Sequence, residues 1–305
     1  MPRLVLTRFL SLVLVASSCA SLALPTPARA QAVERALYVS VLDDKGVPVK
    51  ADLAPTDLVV REDGMTREIL RVRPATQPMQ VAVLVDTSVA LTNDVSNVRE
   101  ALEAFVNKVA GANGSEVGLV EYGDRPRVLS EPSTSPAVAT KGIESIFAKP
   151  GAGAYMLDAI LETSRGFQKR EASRPVIVVV MIEGIEFSNA SYDRVLEALA
   201  ASGAALHVMN LTRPGGGVGA MSDEVRNRNV VIDIGTRQSG GRRENLLSSM
   251  ALKPALDALA EELLHQWHVV YGRPQTLIPP DKVTIEPARP GLTVRGTPVK
   301  PVKGA

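Results

Sequence analysis

Residues Val81–Ala90 read VAVLVDTSVA, and this stretch decides the fold class of the chain. The unbroken apolar run Val81–Val85 is typical of a strand that is buried on both faces of a parallel sheet. It ends at a polar DTS triplet that begins with Asp86, and apolar residues at helical spacing follow from Val95 to Val109. We therefore expect a carboxylate and a hydroxyl at the carboxyl end of a buried strand, where open α/β sheets place their ligand sites.

Strand-like and helix-like segments alternate along the rest of the central region. Further strands are predicted at Glu116–Tyr122, Arg127–Leu129, Val176–Ile182 and Ala205–Leu211, and further helices at Met156–Phe167, Ser191–Ser202 and Pro254–Gln266. Ser96 is expected to cap the first helix. This alternation predicts an α/β fold with a doubly wound, mainly parallel, Rossmann-like sheet.

The two flanks of the central region have β character. The first flank contains an alternating run from Leu37 to Leu42, followed by Leu58–Glu62 and Ile69–Val72, which are predicted to pair around Asp63-Gly64. The second flank contains strand-like runs at Trp267–Tyr271, Lys282–Glu286 and Leu292–Arg295. Each set is small for a core of its own. Either both sets form one small β-sandwich, or they dock separately on the α/β domain.

The predicted domain boundaries follow from these composition changes. They are a signal peptide at 1–30, an N-terminal β unit at 31–76, an α/β domain at 77–266, C-terminal β strands at 267–297 and a flexible tail at 298–305. Within the α/β domain, 213–229 is rich in glycine and charge and is expected to be a surface insertion.

The first thirty residues are typical of a secretory leader. Arg3 and Arg8 precede the uncharged apolar stretch Phe9–Leu24, and Ala28-Arg29-Ala30 has the small-x-small pattern of a cleavage site. A membrane anchor is the alternative, but a span needs about 20 apolar residues; a lipoprotein signal through Cys19 is a weaker one. We expect export to the periplasm or the medium after cleavage near Ala30, with no membrane span in the mature chain.

Composition restricts the function further. Cys19 is the only cysteine, so a cleaved chain has no disulfide and no thiol chemistry. Loss of the leader's three arginines reduces 34 basic residues to 31, against 33 acidic ones. A slightly acidic chain with few aromatic residues is not expected to bind nucleic acid or an anionic membrane.

Five motifs follow one another along the central region: VAVLVDTS, EVGLVEYGD, GAGAYMLDAI, VIVVVMIEG and ALHVMNL. In order and spacing they resemble the von Willebrand factor A (VWA) domain, and the resemblance covers Gln77–Gln266. The flanking sequences are similar to those of bacterial exported VWFA-related proteins. The resemblance implies a metal-ion-dependent adhesion site (MIDAS) formed by Asp-x-Ser-x-Ser, a threonine and an aspartate.

The implied metal site is degenerate in this chain. Asp86 and Ser88 match the motif, but Ala90 replaces the second serine, Ala154 the threonine, and Glu183 the aspartate. Magnesium requires nearly octahedral oxygen ligands at about 2.0–2.1 Å, so lost hydroxyls and a longer acid weaken its binding. We expect no cofactor, or at most weak binding of Mg or Ca by Asp86, Ser88 and Glu183.

Other catalytic or binding patterns are weak. Asp86 with Ser88 could suggest a hydrolase, but the chain has no G-x-S-x-G elbow and no evident histidine partner. His207 is predicted to be a hydrogen-bonded core histidine. Gly240–Arg243 could bind an anion, although a structural turn is preferred. We therefore expect the protein not to be an enzyme.

Recognition of a protein partner is the preferred function. The binding face is expected at the carboxyl ends of the strands, formed by Thr87, Ala90, Ala154, Tyr155, Ile185 and Phe187. These residues could instead merely cover the end of the sheet. The main hypothesis is an exported, non-enzymatic scaffold or adaptor that binds an unidentified protein and no nucleic acid. The alternative is a Mg- or Ca-dependent adhesion module.

Overall fold

The computed structural model describes residues 32–50, 53–212, 222–275 and 277–300. The strands are β1 Ala32–Leu42, β2 Leu58–Glu62, β3 Met65–Arg67, β4 Ile69–Pro74, β5 Gln80–Val85, β6 Glu116–Glu121, β7 Arg127–Ser133, β8 Pro175–Ile182, β9 Ala205–Leu211, β10 Arg243–Leu246, β11 Trp267–Pro274, β12 Val283–Pro287 and β13 Thr293–Pro298. The helices are α1 Val95–Val109, α2 Pro136–Glu144, α3 Met156–Lys169, α4 Tyr192–Ser202, α5 Asp223–Val230, α6 Thr236–Gln238 and α7 Leu252–Leu264. A π-helical turn, Val231–Gly235, joins α5 to α6.

The central sheet has six strands in the order β10-β9-β8-β5-β6-β7. All neighbouring strands are parallel except β6 and β7. Every residue of β8 is buried, as the apolar run predicted. Helices α1, α2 and α7 pack on one face of the sheet, while α3, α4 and the π-helical turn pack on the other. The predicted doubly wound, mainly parallel α/β fold is confirmed.

The strands before and after the α/β domain form one β-sandwich. Its first sheet has the order β13-β1-β11-β4, with Val39 of β1 opposite Trp267 of β11, and its second has the order β12-β2-β3. Both sheets contribute to one apolar core: Leu37, Val39, Val41, Leu53, Leu58, Val60, Trp267, Val269, Tyr271 and Ile285. Of the two arrangements that the sequence left open, the strands therefore adopt the shared sandwich.

A buried arginine joins the sandwich to the α/β domain. Arg174, which precedes β8, is 3% exposed and donates to the Gln77 carbonyl at 3.0 Å and to Gln266 Oε1 at 2.7 Å. Its guanidinium lies 4.8 Å from the ring centroid of Tyr38 in β1. Gln266 also donates to Ser40 Oγ at 3.0 Å, so polar contacts fix the orientation of the two units.

Two local predictions in the first half of the chain were wrong. The Asp63-Gly64 turn has φ values of 47° and 83°, as expected for this dipeptide. It leads β2 into the short β3, however, whereas Ile69–Val72 belongs to β4 in the other sheet. Ser96 lies inside α1, whose N-cap is Asp94.

The stretch 213–229 is not wholly a surface insertion. Its second part begins α5, and Val225 and Arg228 of this helix are buried. The rest, 213–221, lies outside the described residues, as do the predicted leader and cleavage site and the last five residues of the predicted tail. Pro298, at the start of that tail, ends β13. Within the described ranges, no helix combines the length and apolar character needed to cross a bilayer.

Candidate functional site

Asp86 lies at the carboxyl end of β5, the central strand of the sheet. It is 1% exposed, and its carboxylate accepts the Ser88 N–H at 2.8 Å and the Ile182 N–H at 3.4 Å. Burial raises the pKa of Asp86, and the hydrogen bonds from Ser88 and Ile182 oppose that rise. The carboxylate therefore ties the ends of β5 and β8 together.

A second buried carboxyl group comes from Glu186, in the loop after β8. Its Oε1 accepts the Ser188 hydroxyl at 2.5 Å and the Met156 N–H at 3.0 Å, while its Oε2 is buried without a hydrogen-bond partner among the described residues. The Met156 contact satisfies the start of α3, where Tyr155 provides no side-chain cap. Burial raises the pKa of Glu186 to about 7.

Arg228 of α5 brings a buried positive charge to the same region. The side chain is 4% exposed, and its Nη1 donates to the Gly184 carbonyl at 3.0 Å. Its charge acts against the rise in the pKa of both Asp86 and Glu186. No acid among the described residues forms an ion pair with Arg228 within 4.0 Å, so the arginine acts on them at longer range. We call Asp86, Glu186 and Arg228 the buried triad.

A third buried acid lies beside the triad and is paired quite differently. Glu121, at the end of β6, is 1% exposed and accepts Lys149 Nζ at 2.9 Å and Arg127 Nε at 2.6 Å. Thr87 donates its hydroxyl to Glu121 at 3.2 Å and accepts the Gly123 N–H at 3.2 Å. Burial raises the pKa of Glu121, but the two cations outweigh burial and leave that pKa below its usual value.

The residues of this edge do not fit the metal site that the resemblance implies. Ala90 and Ala154 have no side-chain oxygen, and both oxygens of Asp86 already accept backbone N–H groups. Glu183 is half-buried, but the fully buried acid of its loop is Glu186. In the described part of the chain, no three His, Cys, Asp or Glu side chains come close enough to hold a metal ion. A rigid octahedral oxygen set is therefore not provided here.

Only four of the six residues predicted to form the partner-binding face reach the surface. Ile185 and Phe187 are 50% and 48% exposed, and Tyr155, whose ring centroid lies 6.1 Å from that of Phe187, is half-buried, like Ala90. Thr87 and Ala154, in contrast, are buried at 0% and 2% exposure. These two side chains offer no surface to a partner because they fill the interior below the loops, and their assignment to the face was wrong.

The segment 185–188 has an inverted polarity. Ile185 and Phe187 point to solvent, whereas Glu186 and Ser188 are buried. The cause is a short bridge to the loop before α3: Ala154 donates its N–H to the Ile185 carbonyl at 2.9 Å and accepts the Phe187 N–H at 2.7 Å. An extended backbone sends successive side chains to opposite sides. The bridge therefore turns the apolar pair outward.

Phe187 lies directly over Gly153. A Cβ on Gly153 would be 2.2 Å from Cδ2 of the Phe187 ring, which means that only glycine leaves room for the ring in this position. Other large apolar side chains are exposed in the segments that follow the parallel strands β5, β8 and β10: Val89, Tyr192, Leu247 and Met250. The carboxyl edge therefore presents apolar surface.

Two other predictions of the sequence concern His207 and the stretch Gly240–Arg243. His207 on β9 is fully buried, as expected, but neither ring nitrogen has a hydrogen-bond partner among the described residues, and burial lowers its pKa to about 4. Gly240–Arg243 is a structural turn. A Cβ on Gly241 would be 1.8 Å from the Leu206 carbonyl oxygen, and Arg243 pairs with Asp233 at 2.7 Å.

Sequence reasoning missed Glu186, Arg228 and Glu121. The alternation of Ile185, Glu186 and Phe187 was a signal for Glu186, since a period of two predicts one buried side chain between two exposed ones. Glu121 ends an apolar strand, as Asp86 does, and could have been noted for that reason. Arg228 stands in a polar stretch without periodicity, and no sequence signal indicated its burial.

Comparison with known proteins agrees with this architecture. Residues 81–185 match the family model of the von Willebrand factor type A domain. No curated protein matches the sequence.

Several solved structures resemble the chain. The conserved hypothetical protein BatB from Bacteroides thetaiotaomicron has 17% identity and a TM-score of 0.42, with 60% of this chain and 98% of BatB covered. A von Willebrand factor type A protein from Catenulispora acidiphila has 9% identity and a TM-score of 0.46, with 89% and 74% covered. Proximal thread matrix protein 1 from the mussel byssus, with a zinc-occupied MIDAS motif, has 14% identity and a TM-score of 0.49, with 70% and 50% covered.

The match over 81–185 begins at the first residue of the β5 apolar run and ends in the loop that follows β8. It thus contains both Asp86 and the two exchanged alanines. Over these residues the chain is similar to the von Willebrand factor type A domain.

Proposed function

We propose that the protein is an exported, non-enzymatic scaffold or adaptor whose VWA domain binds a protein partner on its apolar carboxyl edge without a metal ion. Domains of this type are generally protein-interaction or adhesion modules. The inverted segment 185–188 is the observation that carries the proposal. A segment that only covered the sheet would turn Ile185 and Phe187 inward and its polar residues outward.

The apolar pair is suited to bind a complementary apolar segment. Fully burying a side chain of the size of Ile185 or Phe187 contributes about 1.5–3 kcal/mol. Both are about half exposed, so each retains part of that free energy for a contact. Tyr155 supports the face from below through its ring contact with Phe187. Aromatic side chains in such positions are frequent centres of protein interfaces.

Two further features support the non-enzymatic and exported parts of the proposal. Ser88 is only 3% exposed, and its hydroxyl accepts the Ala90 N–H at 3.3 Å, so it is not placed as an exposed nucleophile. The leader-like composition of 1–30 supports export.

Affinity capture from the native cell envelope, performed in EDTA, tests the proposal. The wild-type chain is compared with an Ile185→Ser/Phe187→Ser variant. Val128→Ser/Val138→Ser is the matched control, because Val128 and Val138 are also exposed apolar residues but lie on β7 and α2, away from the face. We expect a partner that the wild type and the control retain and that the face variant loses.

Two results would contradict the proposal. Retention of every captured protein by the face variant would show that Ile185 and Phe187 do not form the binding face. Capture that requires added magnesium and is lost in Asp86→Asn would instead favour the Mg- or Ca-dependent adhesion module that uses Asp86, Ser88 and Glu183.

A further inference from the structure

A small cavity lies where the β-sandwich meets the α/β domain. It has a volume of about 20 Å³ and is found at the amino ends of β8 and β9, beside Pro175 and Ala205. The apolar pair Ile185 and Phe187, in contrast, follows the carboxyl end of β8. A cavity can hold a water-sized group once it reaches about 10–15 Å³. This cavity therefore has room for one such group, and it is separate from the proposed binding face.

Both units contribute to the wall of the cavity. Tyr38 of β1 and Thr297 of β13 come from the sandwich, while Arg174 comes from the α/β domain. Lys300, which follows β13, packs over Gly203 at the end of α4, where a Cβ would be 3.1 Å from the Lys300 Cγ. Of the described residues that line the cavity, two are cationic and none is an aspartate or a glutamate. The cavity therefore has a positive character.

Arg174 is a buried cation without an acidic partner in the described part of the chain. It is 3% exposed, and its Nη atoms donate to the Gln77 carbonyl, the Leu263 carbonyl and Gln266 Oε1 at 3.0, 2.9 and 2.7 Å. Its Nε is buried and has no hydrogen-bond partner among the same residues. Burial lowers the pKa of Arg174 to about 10, which leaves the guanidinium charged at neutral pH. A buried charge is costly unless an opposite charge or hydrogen bonds compensate it, and an anion beside Nε would supply both.

We propose that this cavity is a binding site for one small monovalent anion, such as chloride or formate, held by Arg174 with Lys300 at the rim. The two cations select an anion, and the volume limits it to a group of about the size of a water molecule. The site goes beyond the proposed function, because it does not involve the apolar face. An anion bound between Tyr38 and Arg174 contacts both units, so it stabilises the folded chain as any ligand specific for the folded state does.

Anion titration of the full chain tests the site. Chloride or formate replaces gluconate, which is too large for the cavity, at neutral pH and constant ionic strength, so that screening of surface charges does not change. The melting temperature is measured together with the line width of the chloride NMR signal. We expect a saturable rise in the melting temperature and a broadening of the chloride signal that formate reverses. A response to chloride alone or to formate alone also supports the site and identifies its anion.

Two variants locate the anion within the chain. Arg174→Gln removes the buried charge and should weaken anion binding by about tenfold or more, because a charge-assisted hydrogen bond is lost. Lys300→Gln removes the exposed charge at the rim and should weaken binding by about threefold. Lys45→Gln is the matched control, because Lys45 is also an exposed lysine but lies in the turn after β1 and does not line the cavity. Its affinity for the anion should equal that of the wild type.

Three results would overturn the inference. The first is a melting temperature and a line width that respond to neither chloride nor formate. The second is an anion effect of the same size in the wild type and in Arg174→Gln, which would assign the anion to another place. If Arg174→Gln does not fold, the comparison of Lys300→Gln with Lys45→Gln decides, and equal anion affinities of these two variants are the third contradicting result.

Discussion

Glu121 and Glu186 are both 1% exposed; Glu121 is the last residue of β6 and Glu186 lies in the loop after β8, yet their surroundings differ. Glu121 contacts two cations, Lys149 and Arg127, directly. Glu186 accepts hydrogen bonds from Ser188 and from the backbone. The positive charge that lowers its pKa is Arg228, which forms no ion pair with it within 4.0 Å. Burial is the largest single influence on both pKa values. It prevails in Glu186, whereas in Glu121 the hydrogen bonds and charges of Lys149 and Arg127 together outweigh it.

The same contrast extends to the two sides of the carboxyl edge. We call Thr87, Glu121, Gly123 and Lys149 the paired side, and Gly153, Ile185, Glu186 and Phe187 the apolar side. The paired side is closed by short polar contacts, while the apolar side presents hydrophobic surface above a buried acid. Stability is therefore expected to depend mostly on the paired side, and recognition on the apolar side.

The largest loss of folding stability is expected from Gly123→Ala. A Cβ on Gly123 would be 2.1 Å from the Thr87 carbonyl carbon and 2.3 Å from the Ser88 nitrogen, and this backbone cannot move without disturbing Asp86. We expect a loss of about 3 kcal/mol in the free energy of unfolding, measured by urea denaturation. Gly184→Ala is the control on the same edge, since its Cβ would meet Ala90 only at 3.4 Å. Equal stability of the two variants would contradict the described contact.

The next largest effect is expected from Glu121→Gln. Its folded-state pKa is lowered, so the ionised form stabilises the fold above about pH 4.5, and this contribution is lost as the pH falls below that value. We expect the variant to lose about 2 kcal/mol at pH 8, because charge-assisted hydrogen bonds to Lys149 and Arg127 are weakened. Denaturation at pH 8 and pH 3.5 measures the difference. A loss that is unchanged at pH 3.5 would argue against ion pairing as its cause.

Glu186→Gln should stabilise the fold at pH 8, whereas Glu121→Gln destabilises it. The pKa of Glu186 is about 7 in the folded state and near 4.5 when unfolded, so the folded state binds more protons between these values. Stability from this group is fully present below about pH 4.5 and is lost as the pH rises to about 7. Glutamine does not ionise, and we expect the variant to exceed the wild type by about 1–2 kcal/mol at pH 8 and to match it at pH 4.5. A pH-independent difference would contradict the assigned burial of an ionisable group.

The smallest change in stability is expected from Gly153→Ala. The new Cβ would displace the Phe187 ring, but this ring is half exposed and can turn into solvent. We expect a cost below about 1 kcal/mol, together with weaker partner capture. Adding Phe187→Ala should remove the cost in stability. If the cost persists without the ring, the Ile185 carbonyl at 3.3 Å from the new Cβ is the cause instead.

Much of the fold could be predicted from periodicity alone. The apolar run in β8 and the helical spacing in α1 specify buried elements through local sequence, and both are where they were expected. Two of the elements that were not predicted were missed for identifiable reasons. The strand β10 has only four residues, RENL, and it is a strand because it pairs with β9. The helix α2 contains mostly small residues, which give a weak amphipathic signal.

The site was less predictable because its polarity depends on contacts between distant residues. Asp86 could be placed from the end of its strand. The sequence analysis selected Glu183, however, whereas the fully buried acid of this loop is Glu186. Glu186 is buried because of the bridge between Ala154 and Glu186. The burial of Arg228 depends on how α5 packs after 213–221, and the sequence of that stretch has no regular pattern. Thr87 and Ala154 were assigned to the surface because loop residues are usually exposed.

The central claim is that this α/β domain keeps the acids of its carboxyl edge without a divalent metal. Titration of the full chain with magnesium by isothermal calorimetry, at neutral pH and up to millimolar metal, tests it most directly, with Asp86→Asn as the control. We predict no saturable heat for either protein. A saturable heat in the wild type that Asp86→Asn abolishes would contradict the claim.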